Sequence, residues 1–105
     1  MTKWQKIAAV SDIPEREPFF VDFKYETAAL FRVGDAFFAI EDRCTHDDGP
    51  LADGELDGYT VMCPRHGAKF DIRSGEALSA PAFKGVPTYQ IKVEDGAVYV
   101  AAPDE

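Results

Sequence analysis

A chain of 105 residues that is 46% hydrophobic and 12% aromatic carries enough apolar material for one buried core, which excludes a disordered protein and leaves no room for a second domain. Its formal net charge of −8, with the 11 basic residues scattered singly, excludes nucleic acid as a partner, because no cationic face meets a phosphate backbone. No run of about 18 apolar residues occurs, so a membrane span is excluded on length, and the first ten residues lack the apolar stretch of a signal peptide. A reducing, cytoplasmic setting is the expectation, and there cysteines bind metal or do chemistry more often than they form bridges.

In chain order, residues 4–8 read as a strand, Ser11-Asp12-Ile13-Pro14 as one short helical turn, and residues 19–23 as a second strand. Apolar runs at 29–33 and 36–40 flank Gly34-Asp35, a two-residue connection that suits a tight hairpin. Asp57-Gly58 can fold residues 51–62 into another hairpin, with strands expected at 59–62 and 69–72. Near the end Tyr89, Ile91 and Val93 alternate with Gln90, Lys92 and Glu94, and Asp95-Gly96 turns the chain into a last strand at 97–100. Seven prolines and eight glycines leave no sustained helical period, so an all-β fold is predicted. Trp4 and the phenylalanines Phe19, Phe20, Phe23, Phe31, Phe37 and Phe38 are expected in its core.

A long irregular section from about 41 to 81 interrupts these strands and divides into three loops: 44–51, 63–67, and one through Ser79-Ala80-Pro81. Between 41 and 57 lie seven acids (Glu41, Asp42, Asp47, Asp48, Asp53, Glu55, Asp57) against one base, Arg43. Two explanations stand open: turn chemistry and solubility, or steering toward basic partners.

Every cysteine and histidine of the chain falls in this section, as Cys44-Thr45-His46 and Cys63-Pro64-Arg65-His66. Two thiolates and two imidazoles make a complete metal-ligand set. A structural zinc site pairs like ligands at short spacing, whereas here each loop supplies one sulfur and one nitrogen. Mixed pairing suits a binuclear cluster with both thiolates on one iron and both imidazoles on the other. A hydrolase built on Cys63 and His66 would leave Cys44 and His46 unexplained.

At these residues, and in Cys63-Pro64-Arg65-His66-Gly67 as a whole, the chain resembles the Rieske ferredoxin family, and the likeness extends over nearly its full length. The resemblance implies a Rieske-type fold of small antiparallel sheets, with a cluster-binding subdomain at about 42–81 inserted in a basal β subdomain, all within a single domain spanning 1–105. It implies one [2Fe-2S] cluster bound by Cys44, His46, Cys63 and His66, the cysteines on the buried iron and the histidines on the outer one. Gly49, Pro50, Pro64 and Gly67 would then shape loops whose N–H groups face the sulfurs. Pro50, Leu51 and Pro81 would either rim the tip or shield the cluster, and Arg65 would lie near the docking surface.

High-potential members carry an extra cysteine in each box where this chain has Gly49 and Arg65, and serine and tyrosine donors where it has Ala68 and Phe70. Fewer donors and more carboxylates disfavour the reduced state, placing the potential at the low end of a range of about −150 to +300 mV. The implied function is that of a low-potential one-electron carrier, not an enzyme, since no histidine is left for a mononuclear iron site. Its donor would be a flavin-dependent NAD(P)H reductase and its acceptor an oxygenase or other iron enzyme, met as a monomer. The alternative is the small Rieske subunit of a larger reductase such as assimilatory nitrite reductase.

Overall fold

The computed structural model describes residues 3–23, 26–43, 51–52, 56–64, 67–79 and 84–101. Among these residues ten strands run in the order β1 (Trp4–Ala9), β2 (Phe19–Asp22), β3 (Thr27–Val33), β4 (Ala36–Glu41), β5 (Leu56–Asp57), β6 (Thr60–Met62), β7 (Lys69–Asp71), β8 (Thr88–Tyr89), β9 (Ile91–Glu94) and β10 (Ala97–Ala101), with a 3-10 turn at Val10–Asp12 after β1. They form three antiparallel sheets ordered β1-β10-β9, β2-β3-β4-β8 and β5-β6-β7. The all-β expectation holds. Among the described residues no helix is long and apolar enough to cross a membrane.

The turns follow from glycine. Val33 pairs with Ala36 and Asp57 with Thr60, so Gly34-Asp35 and Gly58-Tyr59 are the two-residue connections, each with glycine at positive φ in the first position. The second hairpin therefore turns one residue later than Asp57-Gly58. Asp95 and Gly96 both have positive φ, the signature of a type I′ turn.

The middle sheet is a wall with a core on each side. Four consecutive residues of β3, Ala28 to Phe31, are fully buried, because successive side chains enter different cores. Ala29 and Phe31, with Ile40 of β4, pack against Leu51, Ala52, Val61, Cys63, Ala68, Phe70 and Ile72. Leu30 and Ala39 face the other way, onto Ile13, Val98, Ile7 and Ile91. A strand covered on both faces loses the polar alternation of a half-exposed one, which is why 28–31 reads as a solid apolar run up to Arg32.

The predicted run through 89–93 is two strands in two sheets. Tyr89 pairs with Ala39 in the middle sheet, Ile91 with Val100 in the terminal one, and the chain crosses between them at Gln90. The aromatic expectation needs correction at two places. Phe31 is fully buried, and Phe19, Phe37 and Phe38 pack half-buried against the cores. Phe20, however, is 44% exposed: it shares a face with Ala29 but lies on edge strand β2, outside the cover given to β3 and β4. Trp4 is also exposed, on the outer face of β1, where the Lys92 ammonium sits 4.9 Å from its ring centre.

The chain leaves the middle sheet after β4 and returns at β8, so the β5-β6-β7 sheet is an insertion between two neighbouring strands. An aromatic contact ties it to the wall: the Phe38 and Tyr59 rings meet edge to face at 5.7 Å, and the Arg73 guanidinium covers Tyr59 at 4.3 Å. Arg73 also donates from Nε and Nη2 to the two Asp71 carboxylate oxygens at 3.1 and 2.9 Å. The Arg73 side-chain donors hold the Asp71 carboxyl below its ordinary range, so the charged form is the one that folding favours. A lowered folded pKa stabilises above the unfolded value near 4 and ceases to as the pH falls through the folded one. Arg73→Met should therefore melt below wild type at pH 7, and the gap in urea midpoint should close by about pH 2. A gap that widened in acid would assign Arg73 a role other than this pair.

Candidate metal centre

Cys63 begins directly after β6. Its N–H donates to the Ala68 carbonyl at 2.7 Å and its own carbonyl accepts from the Gly67 N–H at 3.0 Å, so Cys63 is tied to the residues that lead into β7. Gly67 has φ +74°, a left-handed conformation that favours glycine, with open space where a Cβ would lie. The Cys63 side chain is fully buried among apolar residues and is in no disulfide. Ala68 and Phe70, the positions expected to withhold sulfur donors, are fully buried beside it in the same core.

The first box is held at its stem by Asp42. One carboxylate oxygen of Asp42 accepts from the N–H groups of Leu51 and Ala52 at 2.9 and 2.8 Å, which holds Asp42 beside residues 51 and 52. Leu51 and Ala52 are fully buried in the core that holds Cys63. Leu51 is therefore a core residue rather than an apolar rim. Asp42 does structural work, and Glu41 faces Arg43 at 3.4 Å, so two of the seven acids serve local geometry. Local contacts give these two a role that does not need long-range steering.

The third loop is anchored on the same strand. The Lys69 carbonyl accepts from Leu78 N–H at 2.7 Å, and Lys69 N–H donates to Ser79 Oγ at 3.1 Å. Behind it, Gly75 and Gly85 bring two backbones together, with Val86 N–H donating to the Gly75 carbonyl at 2.8 Å. Stems of all three loops thus meet around Cys63 and Ala68. Cys44, His46 and His66 lie outside the described residues, as do Gly49, Pro50, Arg65 and Pro81. The sequence reading missed Asp42 as a clasp and Gly75 with Gly85 as a backbone crossing. An aspartate just before the first loop was the available signal for the former.

Asp42→Ala would strip both amides of their acceptor, at a cost of about 2 kcal/mol. Bleaching of the visible chromophore should accelerate in parallel, whereas Asp42→Asn, which keeps the accepting oxygen, should restore most of the loss. Equal stability of the Ala variant and wild type would show that the clasp holds nothing.

A buried, unbridged thiol that follows β6 and shares one core with Leu51 and Ala52, the residues clasped by Asp42, suits a thiolate-held metal centre. The fold and the stems therefore define an all-β module with a candidate metal centre at Cys63. Comparison identifies the family: residues 3–90 match the model of the Rieske [2Fe-2S] domain, and the chain belongs to that family. It is 41% identical over 96 residues, 90% of each chain, to the ferredoxin subunit of 3-phenylpropionate/cinnamic acid dioxygenase of Escherichia coli (strain K12). Among solved structures, a chain from the complex of reduced oxygenase and oxidized ferredoxin in carbazole 1,9a-dioxygenase superposes with TM-score 0.88 at 37% identity, covering 93% of this chain and 92% of that one. The ferredoxin of Sphingomonas yanoikuyae B1 superposes with TM-score 0.86 at 31% identity, covering 96% of this chain and 100% of the other.

Proposed function

We propose that this protein is the ferredoxin of a ring-hydroxylating dioxygenase system, carrying one electron at a time from an NAD(P)H-dependent flavin reductase to an oxygenase. The observation that carries the reading is Cys63, sealed in the core at the point where the stems of three loops converge. Cys44 and Cys63 would hold the inner iron, and His46 and His66 the outer one. When bound, the [2Fe-2S] group supplies a centre that accepts and releases a single electron.

The chain's own part is to hold that centre rigidly and keep water from its sulfur side. The core beneath Cys63 does this with Phe31, Ile40, Leu51, Val61 and Phe70, all fully buried, so reduction reorganises little of the protein. Ala68 and Phe70 offer no hydroxyl to a sulfur, which favours the oxidised state and a potential near the bottom of the Rieske range. We further infer that the cluster-binding subdomain spans about 42–81 of the single domain 1–105, and that the carrier works as a cytoplasmic monomer. Identity near 40% to dioxygenase ferredoxin subunits favours this over a nitrite reductase small subunit.

The test is reconstitution. NADH, a flavin reductase and this protein should reduce the oxygenase of a ring-hydroxylating system, and omitting the protein should abolish the transfer. Protein-film voltammetry should give a midpoint in the lower half of about −150 to +300 mV. A midpoint in the upper half would defeat the low-potential assignment.

A further inference from the structure

One peptide group stands between Cys63 and the stem of the third loop. The Ala68 carbonyl accepts from Cys63 N–H at 2.7 Å, and the N–H of that same peptide, on Lys69, donates to Ser79 Oγ at 3.1 Å. A planar peptide moves as one unit, so whatever fixes its N–H end also aims its C=O end. Ser79 Oγ, the Ala68–Lys69 peptide and the Cys63 amide thus form one continuous chain of hydrogen bonds. Bonds in such a chain polarise and strengthen one another.

Backbone pairing shows that a side chain has taken the place of a carbonyl here. Residues 76–78 run antiparallel along β7: Phe70 bridges Ala77, Asp71 N–H donates to the Glu76 carbonyl at 3.0 Å, and Leu78 N–H donates to the Lys69 carbonyl at 2.7 Å. In an unbroken ladder the Lys69 N–H would go to the carbonyl of Leu78, the residue opposite. It goes to the Ser79 hydroxyl instead, and the ladder ends there. The peptide held in this way is the one whose carbonyl takes the amide of the buried cysteine.

We propose that Ser79 is a positioning residue for the metal centre: through the Ala68–Lys69 peptide its hydroxyl keeps the Cys63 amide on the Ala68 carbonyl and so holds the reduction potential down. The proposal rests on the carrier reading and deepens it. Hydrogen bonds to sulfur and access of water both raise the potential of an iron–sulfur centre, because each stabilises the added electron. A Cys63 N–H committed to a carbonyl is withheld from sulfur, and a carbonyl fixed beside Cys63 presents the negative end of its dipole there. Ala68 and Phe70, which offer no hydroxyl, act in the same direction from inside the core. Ser79 does so from the surface and acts only through the peptide between them.

Voltammetry of the cluster-loaded protein tests this at one atom. Ser79→Ala removes the acceptor, and the equilibrium constant for one-electron reduction should rise about threefold, an upward shift of about 30 mV. Ser79→Thr keeps the hydroxyl and should hold the midpoint at the wild-type value. Ser74→Ala is the control: Ser74 Oγ accepts from Glu76 N–H at 3.2 Å, a surface bond of the same kind that does not lead to Cys63, so its loss should leave the midpoint unchanged. Water can satisfy the Lys69 amide at the surface, so the alanine variant at Ser79 should still fold, as urea titration would show. A residue that only ended a strand would move the urea midpoint and not the potential. A wild-type potential in Ser79→Ala, or a shift in Ser79→Thr as large as in Ser79→Ala, would overturn the proposal. Where the alanine protein lost its cluster, a displaced midpoint in the threonine protein would overturn it equally. Wild-type protein lacking iron and sulfide would defeat the carrier reading itself, whereas a loaded cluster insensitive to Ser79 defeats the positioning role alone.

Discussion

Gly75→Ala should destabilise the protein by at least about 3 kcal/mol and bleach its cluster at room temperature. Two effects act together at this position. Gly75 has φ +78°, a backbone region that side-chain-bearing residues enter only under strain. A Cβ there would also lie 2.1 Å from the Val86 carbonyl oxygen and 3.1 Å from Thr88 Cγ2. The obstacle is backbone on a segment that leads into β8, so it cannot rotate aside as a flexible side chain would. The partner position makes the same point, since a Cβ on Gly85 would meet the Gly75 carbonyl oxygen at 2.5 Å. Because both substitutions spread one crossing, the double variant should lose far less than the two single losses added. Gly34 and Gly96 are controls: both have positive φ but open space around the added carbon, so alanine there should cost only about 1 kcal/mol. Urea titration followed by circular dichroism checks all five proteins. If Gly75→Ala cost no more than Gly34→Ala, the close crossing would not govern stability.

Cys63→Ser should abolish the metal centre, with iron and acid-labile sulfide falling at least tenfold while the β spectrum remains. A serine hydroxyl ionises far less readily than a thiol and is a much poorer ligand to iron. Cys63→Ala should behave the same way. If Cys63 were only a core residue, alanine would cost about 1–2 kcal/mol through lost packing and leave the iron content alone. Because ligand binding to the folded state adds stability, the cysteine variants should also melt lower than wild type by more than packing explains. Iron retained in full in Cys63→Ala would remove this residue from the ligand set.

The legible parts of this molecule were those where one residue type answers one local demand. Asp95-Gly96 can be read as a hairpin turn because both residues tolerate positive φ, and Phe31, in an apolar stretch, announces burial by composition alone. The family was legible for the same reason, as the two cysteine and histidine boxes that carry the resemblance leave little choice of residue. What escaped depends on partners distant in sequence. Gln90 separates two sheets only because Tyr89 pairs with Ala39 while Ile91 pairs with Val100. Phe20 and Trp4 are apolar yet exposed because of which strand forms an edge, a property of topology rather than pattern. The crossing of Gly75 and Gly85 joins two loops across ten positions, and neither glycine differs locally from an ordinary turn residue. Asp42 looked like one more acid in an acidic stretch until Leu51 and Ala52 supplied the N–H groups it binds.

The most direct measurement is pulsed EPR of the dithionite-reduced protein grown with 15N-labelled histidine, together with iron and acid-labile sulfide analysis. The account predicts two irons and two sulfides per chain and hyperfine coupling to nitrogen from two histidines, lost one at a time in His46 and His66 variants. A single zinc ion without sulfide, or a cluster showing no coupling to histidine nitrogen, would contradict it.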